Sequence, residues 1–309
     1  MKPIRIAVIG YGKIAEDQHV PSIEANPRLD LVATSSRSGQ GVGQKFTDWG
    51  ELIRTVEGLQ AVAITTPPGP RYTIARECIE AGLHCLLEKP PTVGLAEIAD
   101  LDCLAQAKGV TLFTTWHAQH HSTVKQAASA LAGKRIARMQ IHWHEDVRKW
   151  HPGQQWIWQP GGFGVFDPGI NAFSIATRIF PGGLFVESAE LAIPQNAQTP
   201  IAADVTFYSP EADGPLSASL DWRRSEGEEW TVTVEATDGT KVRLEDGGAR
   251  LLLNSEASAD SGVGEYPDIY RTFLDLIDER RSLVDVAPLR LVADCLLVAG
   301  HSIVEAVQD

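Results

Sequence analysis

The chain is short of positive charge and of long apolar runs. Its 309 residues contain 27 lysines and arginines against 40 aspartates and glutamates, which gives a formal net charge of -13. A surface this acidic repels phosphate backbones and anionic lipids, so we expect neither nucleic acid nor a membrane as partner. No stretch approaches the roughly 20 apolar residues of a membrane span. The first residues also lack a signal-peptide pattern, which predicts a cytoplasmic protein.

Cysteine is scarce, and no two cysteines form a CxxC pair. The four are Cys78, Cys85, Cys103 and Cys295. Their helical and strand patterns predict small buried side chains in a reducing compartment. His120 and His121, with His117, have a spacing that resembles a metal site. No further cysteine or carboxylate supports these histidines, so we predict no metal.

Strand-like and helix-like segments alternate through the first 118 residues. This alternation predicts an α/β class with a doubly wound parallel sheet. The strand-like runs lie at 4–9, 29–34, 61–66, 84–88 and 110–115. Residues 119–309 instead combine a series of strand-like segments with a few helices, which predicts an α+β domain with a mainly antiparallel sheet. Two helices, about 267–281 and 288–306, are predicted to close the chain.

A glycine-rich turn follows the first strand-like run, at residues 10–15 (Gly-Tyr-Gly-Lys-Ile-Ala). Gly10 permits the tight turn, Gly12 lets a ligand approach the backbone, and Ala15 lets the helix pack closely on the strand. Free N–H groups at the start of the next helix can bind phosphates. The strand–turn–helix context predicts a dinucleotide site.

The ends of the second and third strands predict the rest of the cofactor site. A site specific for NAD usually has an acid after the second strand to bind the ribose 2′-hydroxyl, whereas this chain has Ser36 and Arg37. These groups can bind a 2′-phosphate, so we predict that NADP is accepted, along with NAD. The alternative is a solvated loop arginine. Thr66, Pro67 and Pro68 end the third strand, on the side that faces the ligand crevice.

Two later segments carry groups that can handle a proton. Glu88 and Lys89 end the fourth strand, and the following proline keeps Lys89 out of the helical conformation. Asp167 and Asn171 are four residues apart, so on a helix they share a face. A lysine, an acid and an amide beside a dinucleotide indicate hydride chemistry on a hydroxyl group. Alternatively, Asp167 caps its helix, because Pro168 follows in the favoured first position.

With these motifs in this order, the whole chain resembles the Gfo/Idh/MocA oxidoreductase family. The resemblance implies a Rossmann domain over residues 1–118, a substrate-binding and oligomerisation domain over residues 119–309, and a homodimer. It also implies that the lysine of the Glu-Lys-Pro motif contacts the substrate and the nicotinamide region. Many members have a histidine at the position of Asn171. Residues 145–158 and 164–171 narrow the resemblance to members that oxidise L-arabinose or D-galactose at C1.

We therefore expect NAD(P)-dependent oxidation of an aldose, L-arabinose or D-galactose, at C1 to the sugar lactone. Asp167 is the preferred base for the anomeric hydroxyl, and Lys89 is either its electrostatic partner or the base itself. Asn171 orients the hydroxyl. The alternatives are another dehydrogenase of the family, of the inositol or biliverdin-reductase type, and a non-catalytic NADP-binding sensor.

The predicted site residues form three groups. The catalytic residues are Lys89, Asp167 and Asn171. Polar and indole side chains that can bind ring hydroxyls or stack on the sugar are Glu145, His151, Trp150, His117 and Trp230. The predicted contacts with NADP or NAD are Gly10, Gly12, Lys13, Ile14, Ser36, Arg37, Thr66, Pro67, Pro68, Glu88 and Lys89.

Overall fold

The computed structural model describes residues 2–307. Within this part, the chain forms two compact units. The first comprises residues 2–117 and 265–286, and the second comprises residues 118–264 and 287–307. No helix of the described residues is both long and apolar enough to cross a bilayer.

The first unit is built on a six-stranded parallel sheet. Its strands are β1 (Ile4–Ile9), β2 (Leu29–Ser35), β3 (Gln44–Phe46), β4 (Ala61–Ile64), β5 (His84–Leu87) and β6 (Leu112–Thr114). Their order, β3-β2-β1-β4-β5-β6, is that of the doubly wound dinucleotide-binding fold and confirms the predicted class. Only β3 was not predicted, because its three residues are largely exposed and form no apolar run.

Helices connect these strands, and the first of them is irregular for a reason in its sequence. They are a π-helical turn (Ala15–His19), α1 (Val20–Glu24), α2 (Trp49–Thr55), α3 (Pro68–Glu80) and α4 (Leu95–Lys108). Pro21 has no N–H to donate, and the N–H of Val20 reaches back five residues to the Ala15 carbonyl. This turn places His19 entirely inside the unit. Cys103 on α4 is exposed, so its predicted burial was wrong, whereas the other three cysteines are buried.

The second unit packs helices against a larger sheet. Up to residue 264 its helices are α5 (Ser122–Leu131), α6 (Val147–Trp150) and α7 (Phe166–Ile179), with a 3-10 turn at Gln155–Trp158. Its strands are β7 (Ile136–His144), β8 (Phe185–Pro194), β9 (Ala202–Tyr208), β10 (Leu216–Asp221), β11 (Glu229–Ala236), β12 (Lys241–Glu245), β13 (Arg250–Leu253) and β14 (Glu256–Ala259). A Cβ at Gly169 would lie 2.6 Å from Leu220 Cδ1, so α7 packs this closely on β10 because residue 169 has no side chain.

Helix α8 (Glu265–Asp278) belongs to the first unit. Its buried side chains, among them Tyr266, Tyr270 and Phe273, join the apolar core formed with β1, β4 and β5. The division of the sequence at residue 118 had assigned this helix to the second domain. The pattern of an amphipathic helix does not indicate which domain core its apolar face covers. Sequence order alone therefore places α8 with the second domain.

The last elements complete the second sheet. Helix α9 (Ala287–Val298) is followed by β15 (Gly300–Val304), which pairs in parallel with β8. The predicted continuous helix over 288–306 was therefore wrong, because the pairing with β8 stabilises an extended chain after residue 299. The nine strands have the order β14-β13-β12-β11-β7-β10-β9-β8-β15. Among the strand pairs of this sheet within residues 2–307, β7–β10 and β8–β15 are parallel and the others antiparallel, which confirms a mainly antiparallel sheet.

Candidate active site

The two glycines of the turn after β1 have different environments. Gly10 has a φ of +106°, and a Cβ there would lie 2.6 Å from the backbone nitrogen of Thr66. Both its conformation and its close neighbour therefore require glycine. A Cβ at Gly12 would meet no atom of the described residues within 4 Å. Nothing within residues 2–307 therefore demands glycine at position 12, which leaves room for a ligand to approach the backbone there.

An unsatisfied hydroxyl lies beside this turn. Thr66 Oγ1 is buried and has no hydrogen-bond partner among the described residues. The residue follows β4, at the carboxyl edge of the parallel sheet where ligands of this fold bind. Pro67 and Pro68 come next, and Pro68 is the first residue of α3. The open backbone at Gly12 and the orphaned Thr66 hydroxyl fit the phosphates and polar groups of a dinucleotide.

Among the other predicted cofactor residues, Ser36 is half-buried, whereas Lys13, Ile14 and Arg37 are exposed. Ser36 follows β2, and its hydroxyl donates to the Gln40 carbonyl at 2.8 Å. Arg37 is exposed and has no ion-pair partner within residues 2–307. Lys13 forms an exposed ion pair of 2.5 Å with Asp17, which raises the pKa of the lysine through that hydrogen bond and charge. Its neighbour Ile14 is also exposed.

Glu88, at the end of β5, is a buried carboxylate with protein partners on both oxygens. Oε1 lies 3.0 Å from His19 Nε2 and accepts a hydrogen bond from the Tyr266 hydroxyl at 2.7 Å. Oε2 accepts the backbone N–H of Lys89 at 2.8 Å. His19 Nδ1 in turn lies 2.7 Å from the Tyr270 hydroxyl. The carboxylate therefore fixes the backbone at Lys89 from inside the unit.

The charges of this cluster follow from its contacts. Burial alone raises the pKa of Glu88, but the hydrogen bond and charge of His19, with His117 and Tyr266, lower it to about 2. Glu88 is consequently an anion at all ordinary pH values. Burial, followed by the charge of Glu88, raises the pKa of Tyr266 and Tyr270 well above the usual range. Both tyrosines thus keep the protons that they need as donors.

His117, a predicted sugar ligand, lies in the same cluster. Its Nδ1 is 2.9 Å from Glu265 Oε1, and its ring stacks on Tyr266 with centroids 6.1 Å apart. Burial lowers the pKa of His117, but the charge and hydrogen bond of Glu265 and the charge of Glu88 raise it overall. The histidine is therefore biased towards the charged form.

In the second unit, α7 begins two residues earlier than Pro168. Val165 is the N-cap residue, and Asp167 lies inside the first turn, with its N–H bonded to the Gly164 carbonyl at 2.9 Å. The alternative that Asp167 caps the helix was therefore wrong. One turn later on the same face, Asn171 Oδ1 is buried without a hydrogen-bond partner among the described residues. An orphaned amide oxygen near a buried acid fits a hydroxyl-bearing substrate.

Indole groups surround a second buried carboxylate. Glu145 Oε1 accepts the indole N–H of Trp222 at 3.0 Å, and Oε2 accepts that of Trp230 at 2.8 Å. The Trp150 ring lies 5.7 Å from the Trp230 ring, and the Trp222 ring lies 5.1 Å from that of His151. The structure therefore brings four of the predicted sugar ligands together through Glu145 and Trp222.

Several residues of these clusters were not identified from the sequence. They are His19, Arg71, Trp222, Tyr266 and Tyr270. The guanidinium of Arg71, which is buried, donates to the carbonyls of Thr66, Glu88 and Pro90 and ties the ends of β4 and β5 together. The four-residue spacing of Tyr266 and Tyr270 indicates a shared helix face, but no local pattern links that face to His19.

The parallel sheet and the glycine turn define a dinucleotide-binding protein of the Rossmann class. Residues 4–116 match the Gfo/Idh/MocA family, described as an oxidoreductase family with an NAD-binding Rossmann fold. The chain is 42% identical to galactose 1-dehydrogenase of Pseudomonas fluorescens, over 100% of both chains. The protein therefore belongs to the Gfo/Idh/MocA family and is an oxidoreductase that uses a nicotinamide dinucleotide.

Solved structures agree with this assignment. The crystal structure of D-galactose-1-dehydrogenase from Rhizobium etli has a TM-score of 0.94 and 42% identity, and the match covers 100% of this chain and 99% of that one. A 3-ketoreductase from Actinomadura kijaniata, solved with TDP-benzene and NADP, has a TM-score of 0.81 at 16% identity. The match covers 98% of this chain and 100% of that one. This second similarity shows a shared fold alone.

We expect Glu88→Gln to remove a pH-dependent part of the stability. The pKa of Glu88 is lowered from 4.5 to about 2, so its contribution of about 3 kcal/mol is complete above about pH 4.5 and is lost as pH falls through about 2. Urea unfolding of both proteins from pH 6 to pH 2.5 measures this, and their difference should shrink with acid. The exposed Glu24→Gln variant is the matched control. A difference that does not change with pH would contradict the charged state assigned to Glu88.

Proposed function

We propose that the protein oxidises an aldose at C1 to the sugar lactone, with D-galactose, L-arabinose or both as substrate and NADP or NAD as acceptor. The observation that carries this proposal is the full-length similarity, at 42% identity, to two galactose dehydrogenases. D-Galactose and L-arabinose share the configuration of their ring hydroxyls and differ in the exocyclic CH₂OH. A site open at that position accepts both.

The proposed chemistry assigns one proton and one hydride to separate acceptors. A nicotinamide cofactor, when bound, would supply the acceptor for the hydride from C1. Asp167 takes the proton of the anomeric hydroxyl, Asn171 orients this hydroxyl, and Lys89 stabilises the developing oxyanion as a cation. The burial of Asp167, 6% exposed, and the orphaned Asn171 oxygen support these roles. Both oxygens of Glu88 bind protein groups, and one of them accepts the backbone N–H of Lys89. We therefore assign Glu88 the role of positioning Lys89.

The sugar is proposed to contact the aromatic and polar groups of the second unit. Trp150 is 46% exposed and Trp230 lies beside it, which supports stacking on a sugar C–H face. Glu145 is only 5% exposed and accepts the indole N–H groups of Trp222 and Trp230. We therefore propose that it orients these two rings in addition to binding a sugar hydroxyl. His117 and His151 remain proposed hydroxyl ligands. The homodimer and the cytoplasmic location also remain predictions.

Turnover with purified protein tests the function. Initial rates of NADP and NAD reduction are measured with D-galactose, L-arabinose, D-glucose, D-xylose and myo-inositol. We expect turnover with the first two sugars, and a fall in kcat of about 100-fold or more in Asp167→Asn and Lys89→Met, because each removes a group that stabilises the transition state. The matched variants Asp102→Asn and Lys108→Met, both on α4, should retain the rate.

Two other outcomes of this assay contradict the proposal. Turnover of myo-inositol alone would retain the family and exclude the sugar assignment. No turnover of any compound in the panel would exclude both D-galactose and L-arabinose as substrates.

The cofactor preference depends on Arg37 in our proposal. Its exposed guanidinium is suited to bind the 2′-phosphate of NADP, so Arg37→Ala should raise the KM for NADP about 10-fold and leave the KM for NAD unchanged. Steady-state kinetics with each cofactor at saturating sugar measure both values. Arg54→Ala, which removes another exposed arginine of the same unit, is the control. Equal changes for NADP and NAD would exclude a contact with the 2′-phosphate.

A further inference from the structure

His151 lies beside the proposed base and is partly exposed to solvent. Its Nε2 is 3.6 Å from Asp167 Oδ2, and the side chain is 16% exposed. The residue also lines a solvent-open cavity of about 410 Å³, together with Arg148, Gln154 and Trp158. A titratable ring therefore connects a buried carboxylate to water.

The orientation of the ring is set by its neighbours. His151 Nδ1 is 3.4 Å from Gln154 Oε1, which also accepts the indole N–H of Trp156 at 3.2 Å. Because the carbonyl oxygen only accepts, Nδ1 carries a hydrogen in this contact. Nε2 is then the nitrogen that can exchange a proton with Asp167.

A buried scaffold supports this arrangement. The Trp222 ring packs beside the His151 ring at 5.1 Å, and its indole N–H is bound by Glu145 at 3.0 Å. Trp222 is fully buried, and a second ring, that of Trp158, packs against it at 5.4 Å. Rings packed in this way limit the rotation of His151 and keep Nε2 directed at the carboxylate.

The charges around the cavity are also compensated. Arg148 is bound by both carboxylate oxygens of Asp146, at 3.0 and 2.8 Å. Lys149 is bound by Glu228 at 2.5 Å. Each cation near His151 on α6 is therefore paired with an acid, which reduces the repulsion that a protonated imidazole meets there.

We propose that His151 relays the proton from Asp167 to the solvent. The proposal rests on the function proposed above, in which every turnover leaves a proton on Asp167. This acid is 6% exposed. A neutral Asp167 cannot accept the next hydroxyl proton, so the enzyme needs a path that restores the carboxylate.

The relay completes the balance of the reaction. The C1–H bond breaks with its electron pair, which leaves as hydride to the nicotinamide, and the O–H bond breaks with its proton going to Asp167. The C=O bond of the lactone forms from the remaining oxygen electrons. Asp167 then gives its proton to His151 Nε2, and the imidazolium loses a proton to water in the cavity. The net products are the lactone, the reduced cofactor and one proton.

Chemical rescue tests the relay with the whole protein, NADP and D-galactose. His151→Ala should lower kcat by about 10-fold or more, because a proton-transfer step is lost. Added imidazoles should restore part of the rate, and the restored rate should rise with the basicity of the imidazole. His151→Gln, which can still bind a sugar hydroxyl, should show the same loss of kcat. His301→Ala, on the exposed β15, is the control and should keep the wild-type rate without a response to imidazole.

The outcomes separate the relay from a binding role. A His151→Gln variant with wild-type kcat and a raised KM would overturn the relay and leave His151 as a sugar ligand. A His151→Ala variant that binds NADPH normally but gains no rate from any imidazole would also overturn it. If the wild-type protein oxidised neither D-galactose nor L-arabinose, the proposed function itself would fail, and the relay with it.

Discussion

The buried charge of Glu88 is the constraint on which the first unit depends. A carboxylate with 4% exposure is stable only if its oxygens are bound, because transfer of an unpaired charge into the interior is very costly. Here the partners come from a π-helical turn near the N-terminus, from the backbone after β5 and from α8, more than 170 residues later. One compensated charge thus joins three parts of the chain and sets the position of Lys89.

The second unit uses a carboxylate in a comparable way. Glu145 is buried and bound by two indole N–H groups. In both units protein donors enclose an acid that the sequence suggested as a ligand contact. The ligand contacts of Glu88 and Glu145 stay predictions. Asp167 lies in the first turn of α7, where Val165 rather than Asp167 is the N-cap residue, and its carboxylate is beside His151. The burial of Asp167 and this contact with a titratable ring support the proposal that it is the proton acceptor.

The sequence predicted those features of the fold and the site that depend on a local residue pattern. Apolar runs and glycines located five of the six parallel strands, and the spacing of Asp167 and Asn171 predicted their shared helix face. Long-range partners were missed, since nothing near His19 or Glu88 indicates that they meet. The end of the chain was also mispredicted, because β15 depends on pairing with β8 rather than on its own composition. The proline after Asp167 suggested that Asp167 is the N-cap of its helix. The helix begins at Phe166 instead and includes both Asp167 and Pro168.

The transfer of hydrogen from C1 of the sugar to the cofactor is the central claim, and isotope labelling tests it most directly. The protein is incubated with NADP and D-galactose that carries deuterium at C1, and the reduced cofactor is examined by mass spectrometry. Our account predicts that the reduced cofactor contains the deuterium and that the labelled sugar reacts more slowly than the unlabelled one. Reduced cofactor without deuterium would show that the hydride comes from another carbon and would contradict oxidation at C1.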